Sequence, residues 1–423
     1  MYLLKDNPAL LMDLYELTMA QAYFEKGLNE TAYFEVSIRN MPENWGFFVM
    51  AGLAELNSYL KEFRFSEDDI KFLKSTGKFS SDFLEFLKEL KPEVEIRAIP
   101  EGSVFFALEP ILEVGGRMID AQILESYILN ILGFSIIEAS LATRISIAAQ
   151  GTAVMDFGLR RAQGPVAAVR AARGASMANF SATSNLFASR VLGFASAGTM
   201  AHSFVEAHES EEQAFMNFAD VHGKDSVLLV DTYEPTEGIK KAATIARDFY
   251  KEKGIKIKGV RIDSGDLVYL TKFARGHFRE NGVPFLKIFV SGGLDEFSIA
   301  KLLKEGAEID GIGIGTNFAA SHYAPDLDII YKLVRYGEKD VFKKSPNKET
   351  YPGRKTVVRT KKKYYEKDTV LPLRPSPDDI LKPLQSTGGI ETIRKRLSAE
   401  LSNLRDSVKR ISNPQRYIVE FAF

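Results

Sequence analysis

Seven consecutive residues, Gly198-Thr199-Met200-Ala201-His202-Ser203-Phe204, hold the types a reaction centre needs. A histidine, two hydroxyls and a glycine follow directly on a small and apolar run, Gly193 to Ala197. A switch of that kind marks the end of a buried strand opening into a site. Histidine is scarce, with 5 in 423 residues, and near neutral pH His202 can act as acid, base or nucleophile. It can equally be a core histidine hydrogen-bonded at a strand end. The local sequence leaves both open.

Five more short apolar segments end in the same way. Ala153–Phe157 leads into Gly158-Leu159-Arg160-Arg161, Ser226–Val230 into Asp231-Thr232-Tyr233, and Ile257–Ile262 into Asp263-Ser264-Gly265-Asp266. Leu286–Val290 leads into Ser291-Gly292-Gly293, and Ile309–Ile314 into Gly315-Thr316-Asn317. The two glycine turns suit phosphate, which binds to backbone N–H groups that glycine leaves uncovered. Asp263 and Asp266 can bind ribose hydroxyls or a Mg2+ ion carrying phosphates, or can cap a helix. Arg160, Arg161 and Arg261 suit a carboxylate or phosphate by bidentate pairing, and structural ion pairs are the alternative. Together these groups can hold a phosphorylated sugar, a small anion and a metal around one imidazole.

The elements between the segments explain how residues so far apart can meet. Helical stretches at Gly174–Val191, Glu209–Ala219, Pro235–Lys253, Leu267–Asn281 and Glu296–Glu305 alternate with the strands, which implies a parallel sheet. Six strands suggest a closed or nearly closed β/α barrel, whose sites lie at the carboxyl ends of its strands. An open doubly wound sheet is the competing fold, but no GxGxxG follows the first strand. Ahead of the barrel, residues 1–117 read as an α+β domain. It has a helix from Pro8 to Lys26, an alternating strand Thr31–Arg39, helices at Gly52–Phe63, Glu67–Ser75 and Ser80–Leu90, and further strands at Val94–Ile99, Val104–Leu108 and Ile111–Val114. Tyr15 in the first helix suits core or interface packing. The barrel is expected over 118–335, with 118–150 as apolar helices between the domains. Residues 336–423 then form an extension returning to the N-terminal domain. Its basic stretch, Lys339 to Lys367, suits a solvated hairpin or a phosphate-facing loop, and Gly389 to Ile411 suits an amphipathic helix.

Composition narrows the classes. Hydrophobic residues make up 45% against 26% charged, enough apolar surface for a large core. The net charge of -1 provides no global field toward nucleic acid or an anionic membrane, so any anionic ligand must be held locally. Cysteine is absent, which removes disulfides, thiolate metal sites and a cysteine nucleophile, and suits a reducing cytosol. The N-terminus lacks a signal-peptide pattern, and no stretch reaches about 18 uninterrupted apolar residues. A cytoplasmic protein is expected.

In order along the chain, Asp13-Leu14-Tyr15 with Thr18-Met19, Phe157 to Gly164, Gly198 to Phe204, Val230 to Tyr233, Gly259 to Leu267, Ile312 to Thr316 and Lys348 to Lys355 resemble the nicotinate phosphoribosyltransferase family. The resemblance implies an α/β protein, an irregular β/α barrel with an α+β domain built mainly from the N-terminal region plus C-terminal segments, and a homodimer. It implies that nicotinate and 5-phosphoribosyl 1-diphosphate give nicotinate mononucleotide and diphosphate, with coupled ATP hydrolysis and Mg2+, in NAD biosynthesis. By family likeness His202 matches a histidine phosphorylated by ATP. Tyr15, Thr199 and Arg261 match contacts to nicotinate, and Thr316 a contact to the phosphoribosyl substrate. Arg160 falls in the family's arginine motif, facing phosphate. Asp263 completes the expected catalytic set, and Ser291, Gly292, Gly293 and Gly315 the phosphate site. Some relatives carry a cysteine-based metal site near the C-terminus, which this chain cannot. A sister activity on nicotinamide or quinolinate is the nearest alternative, and a non-catalytic nucleotide-binding regulator is an alternative of another class.

Overall fold

The structure, a computed structural model, describes residues 9–343, 351–384 and 388–423. Its contacts group the chain into two units, Met1–Ser140 with Asp326–Phe423, and Leu141–Pro325.

The first unit is built on a six-stranded antiparallel sheet. Thr31–Ile38 lies inside it because Ala32, Phe34, Val36 and Ile38 alternate to give one apolar face, and all four are buried. Leu112–Arg117 pairs on one side and Ile329–Tyr336 on the other, with Phe34 stacked 4.7 Å from Tyr331. This pairing moves a boundary. The barrel was expected to run on to residue 335, but Ile329–Tyr336 completes this sheet, taking up backbone groups that Thr31–Ile38 would otherwise expose along an edge. The other division falls within the helix Glu125–Ala148, after Ser140, and not ahead of residue 118. Val104–Phe105 also departs from expectation, pairing apart from the main sheet with Phe48–Val49.

Caps set the helix starts. The first helix runs Leu14–Lys26, not from Pro8, which lies outside the described residues, because Asp13 forms a capping box with Glu16; Gly27, at φ 65°, closes it. Ser66 and Ser80 start Glu67–Ser75 and Ser81–Glu89 by accepting from Asp69 N and Phe83 N. Met118–Ala148 has the length and mean hydropathy of a membrane span, but 78% of its most apolar window is buried in the protein.

The basic stretch does form a hairpin, Lys355–Lys361 against Tyr365–Pro372, while Lys344 to Thr350 of that stretch lie outside the described residues. Its charges are not all solvated. Arg359 pairs with Asp368 at 2.6 Å and Glu400 at 3.2 Å, Lys355 with Glu35 at 2.7 Å, and Arg354 with Glu113 at 2.7 Å. Internal counterions absorb part of the charge expected to face water, while Lys339, Lys343 and the turn lysines Lys361 to Lys363 remain exposed. The terminal amphipathic helix is present as Ile390–Asn403, burying Ile393 and Leu397.

The second unit holds a six-stranded parallel sheet, ordered 182–183, 153–156, 311–314, 287–290, 259–262, 227–229. Five strands fall where the apolar segments predict. Gly193–Ala197 does not become the sixth: its Gly, Ala and Ser offer no branched side chains to a pleated surface. Ala182–Thr183 takes that position, and Ser196 adds only a single bridge to Thr183. The helix expected over Gly174–Val191 is correspondingly two, Pro165–Met177 with proline in its first turn and Leu186–Leu192 capped by Asn185. The sheet curls on itself, so that Met155 and Ala182 join Val227 and Phe289 in one apolar cluster. Its outer face packs on helices such as Pro235–Lys253, where Gly238 is required: a Cβ there would lie 2.0 Å from Val230 O.

Glu16 yields a pH prediction. It is fully buried, accepts from Asp13 N and Ser126, and leaves Oε2 without a partner. Burial pushes its carboxyl up to about 7, against the partly opposing hydrogen bonds. The folded protein therefore holds a proton that the unfolded chain releases near 4.5, so stability falls as pH rises between 4.5 and about 7. Denaturant titrations of wild type and Glu16→Gln should diverge across that window, wild type losing ground, and run parallel outside it.

Candidate active site

The strands of the parallel sheet run the same way, so the residues that follow them converge. A cavity of about 430 Å³ opens at their carboxyl ends, and its lining includes Arg160, Thr199, Arg261, Asp263, Ser291, Gly292, Gly293, Gly315 and Thr316. Every site residue expected from sequence is in that lining except His202 and Tyr15.

Arg261 is held from two sides. Its Nη1 donates to Thr199 Oγ1 at 2.7 Å and its Nη2 to Asp263 Oδ1 at 3.0 Å, while Nε is buried with no partner. Thr199 is oriented in turn, because its hydroxyl donates to Met200 O at 3.0 Å. Asp263 Oδ1 also receives the Ser291 hydroxyl. Burial pushes the Asp263 carboxyl up, but Ser291, Arg261 and His202 outweigh it and hold the group below its usual range. Asp231 sets this turn, with Oδ2 accepting Asp263 N at 2.9 Å and Ser264 Oγ at 2.6 Å. Asp266 is the helix cap of the pair, accepting from Tyr269 N at 3.0 Å.

The glycine turn is a steric necessity. Gly292 sits at φ 93°, and a Cβ on it would lie 1.9 Å from Asp263 O. Asn317 Nδ2 donates to Gly293 O at 2.7 Å and Leu294 O at 3.2 Å, tying this turn to Gly315-Thr316. On the arginine side, Asp156 fixes the turn: its carboxylate accepts Gly158 N and Thr183 Oγ1, each at 2.7 Å. Burial raises the Asp156 carboxyl, those two bonds opposing. Arg160 and Arg161 are thereby presented, exposed, at the cavity wall.

His202 follows Ala201 of the lining and starts the short helix His202–Glu206, half-buried. Its Nδ1 lies 3.2 Å from Thr232 Oγ1, and it acts electrostatically on Asp263. The imidazole is thus beside the site, and the alternative of a sealed core histidine does not describe it. Tyr15 belongs to the first unit, where its hydroxyl is bonded to Glu125 and burial raises it above the usual phenol range.

Sequence reasoning did not single out Ser184, Asp231's part in the Asp263 turn, or Asn317. Ser184 lines the cavity after the strand that the apolar pattern missed; the polar cluster Ser181 to Asn185 was its only signal. Among the described residues no group of three His, Cys, Asp or Glu is arranged to hold a metal.

Comparisons with known proteins agree with this geometry. Residues 10–133 match the nicotinate phosphoribosyltransferase (NAPRTase) N-terminal domain, 152–365 the NAPRTase family, and 338–422 the nicotinate phosphoribosyltransferase C-terminal domain. The chain is 42% identical to nicotinate phosphoribosyltransferase pncB2 of Mycobacterium tuberculosis, over 83% of this chain and 75% of that relative. With nicotinate phosphoribosyltransferase of Bacillus subtilis the identity is 38%, over 84% and 73%. The crystal structure of human nicotinic acid phosphoribosyltransferase superposes with a TM-score of 0.82 at 26% identity, covering 97% of each chain. By fold, site and sequence, the chain belongs to the nicotinate phosphoribosyltransferase family.

Proposed function

We propose that the enzyme transfers the phosphoribosyl group of 5-phosphoribosyl 1-diphosphate to the ring nitrogen of nicotinate, with ATP hydrolysis coupled through phosphorylation of His202. Arg261 carries this reading. A guanidinium has five N–H donors; two are used by Thr199 and Asp263, which leaves three, among them the buried Nε, for a carboxylate. In the same cavity, the Ser291–Gly293 and Gly315–Thr316 turns with Arg160 suit phosphates.

In the reaction the N–C1 bond of the nucleotide forms as the C1–O bond to diphosphate breaks, through a ribosyl cation-like transition state. The chain's part is to hold the ring in line and to receive negative charge on the departing diphosphate. His202, with Nδ1 at Thr232, would take the γ-phosphoryl group of ATP as ADP leaves, placing new charge beside Asp263 until water releases it as phosphate. Thr199 and Arg261 hold the pyridine acid; Tyr15 is assigned there by family likeness alone.

Mg2+ suits the donor set. Asp263 lines the cavity with one oxygen engaged by Ser291 and Arg261, and Asp231 Oδ1 is buried without a partner. Such an ion takes one or two carboxylates plus substrate phosphates, so it needs no cage of protein ligands. Bound there, it would neutralise charge on the diphosphate. A homodimer is supported by the exposed Leu14 and Tyr15 at the head of the first helix, and a cytoplasmic location by the absence of cysteine.

Three measurements test these roles. Wild type with nicotinate, phosphoribosyl diphosphate, ATP and Mg2+ should form nicotinate mononucleotide, and labelled ATP should leave acid-labile phosphate that His202→Ala lacks. Arg261→Met should raise KM for nicotinate about 10- to 100-fold, the worth of a charged hydrogen bond, by steady-state kinetics. Gly292→Ala should weaken diphosphate binding about tenfold in calorimetry, since the strained turn must shift.

A further inference from the structure

Two turns bring glycine to the cavity wall, Ser291–Gly293 after the strand Lys287–Val290 and Gly315–Thr316 after the strand Gly311–Ile314. The strands are neighbours, but their register pairs end at Val290 with Ile312, short of both turns. Gly292 and Gly293 lie in the left-handed region, at φ 93° and 64°, and a Cβ on Gly293 would meet nothing within 4 Å. Among the described residues the N–H groups of Gly292 and Gly293 find no acceptor. Such groups suit an anion. Glycine backbone beside open space is also free to turn them elsewhere.

Asn317 holds them. Its Nδ2 donates to two carbonyl oxygens, Gly293 O at 2.7 Å and Leu294 O at 3.2 Å, so both of its N–H bonds are spent on the turn and neither is left for a ligand. The residues beside it are anchored: Phe318 is fully buried with its ring 5.4 Å from that of Phe180, and Ala319 is buried against Gly158. A trans peptide points its N–H opposite to its C=O, so fixing these two carbonyls fixes the planes of both peptides. On its other side the turn abuts Asp263 O at Gly292. A second tie between the same segments, Tyr323 Oη donating to Asp295 Oδ2 at 2.9 Å, meets the cap of the helix Glu296–Lys304 and lies beyond the turn.

We infer that Asn317 is a positioning residue for the phosphate groups of the phosphoribosyl substrate, strapping the two glycine turns into one preformed cradle without touching the ligand. The inference rests on the proposed function. A glycine turn without the strap loses its freedom only when the anion binds, and that entropy is subtracted from the affinity. Because Asn317 acts through the turn alone, its loss weakens phosphate ligands and spares the pyridine acid held at Arg261.

Calorimetry with two probes shows which phosphate the cradle takes, nicotinate mononucleotide for the group at C5 and inorganic diphosphate with Mg2+ for the pair at C1. In Asn317→Ala, and in the near-isosteric Asn317→Leu, the Kd of at least one probe should rise about tenfold, and KM for phosphoribosyl diphosphate with it. KM for nicotinate at saturating phosphoribosyl diphosphate should stay within about twofold of wild type, and Tm within about 2 °C. Tyr323→Phe, which removes the tie beyond the turn, should leave both Kd values unchanged. Unchanged Kd values for both probes in the Asn317 variants overturn the strap. So does a loss shared by nicotinate together with a lower Tm, which would make Asn317 a general support of the fold, and so does an equal loss in Tyr323→Phe. Should Asn317→Ala fail to fold, Asn317→Leu decides alone. If wild type binds neither probe and does not convert nicotinate, the proposed function itself falls; normal turnover in wild type with unaltered Kd values in the variants removes the strap alone.

Discussion

The suspension of Arg261 between Thr199 Oγ1 and Asp263 Oδ1 is the interaction on which the site depends. A guanidinium placed in a cavity on a free side chain would sample many rotamers, and a bidentate partner would have to restrict them all. Here two bonds fix its plane beforehand, and each partner is itself fixed, Thr199 by Met200 O and the Asp263 turn by Asp231. Three segments, at Thr199, Asp231 and Arg261 to Asp263, spread over more than 60 residues, are therefore locked to one orientation. The depressed carboxyl of Asp263 reflects this: hydroxyl, guanidinium and imidazole outweigh its burial.

Backbone geometry provides the second constraint. The Ser291–Gly293 turn passes so close to Asp263 that no side chain fits at Gly292, and Gly158 approaches Ala319 closely enough that a Cβ would lie 2.4 Å away. Glycine serves less to loosen these turns than to let them touch. Glycine turns with Arg160 and Arg161 in the same cavity wall suit anions in a protein whose net charge is only -1.

Charge elsewhere follows another rule. Arg354, Lys355 and Arg359 looked like a solvated basic run, yet Arg354 and Lys355 meet carboxylates from far away in sequence, and Arg359 meets Asp368 of the facing strand together with the more distant Glu400. Burial and the neighbouring Asp368 raise Glu109 well above the ordinary carboxylate range, while Arg359 opposes them, as in a cluster of more acids than one guanidinium can hold ionised. No periodicity encodes such pairings, since neither partner carries a mark of the other.

By itself the sequence determined that Pro235–Lys253 and Glu67–Ser75 are helices, that five apolar segments are parallel strands, and that glycine, arginine and aspartate cluster after them. Those features follow from local forces: caps, side-chain period and the need to bury apolar faces. Tertiary structure alone decided that Ala182–Thr183 and not Gly193–Ala197 becomes the sixth strand, that Ile329–Tyr336 joins the N-terminal sheet, and that Asp231, Asn317 and Thr232 orient the turns and the imidazole. Each of these depends on which partner is nearby once the chain has closed. Hydrogen-bonding capacity is written in a residue type, but the group that satisfies it is chosen in space.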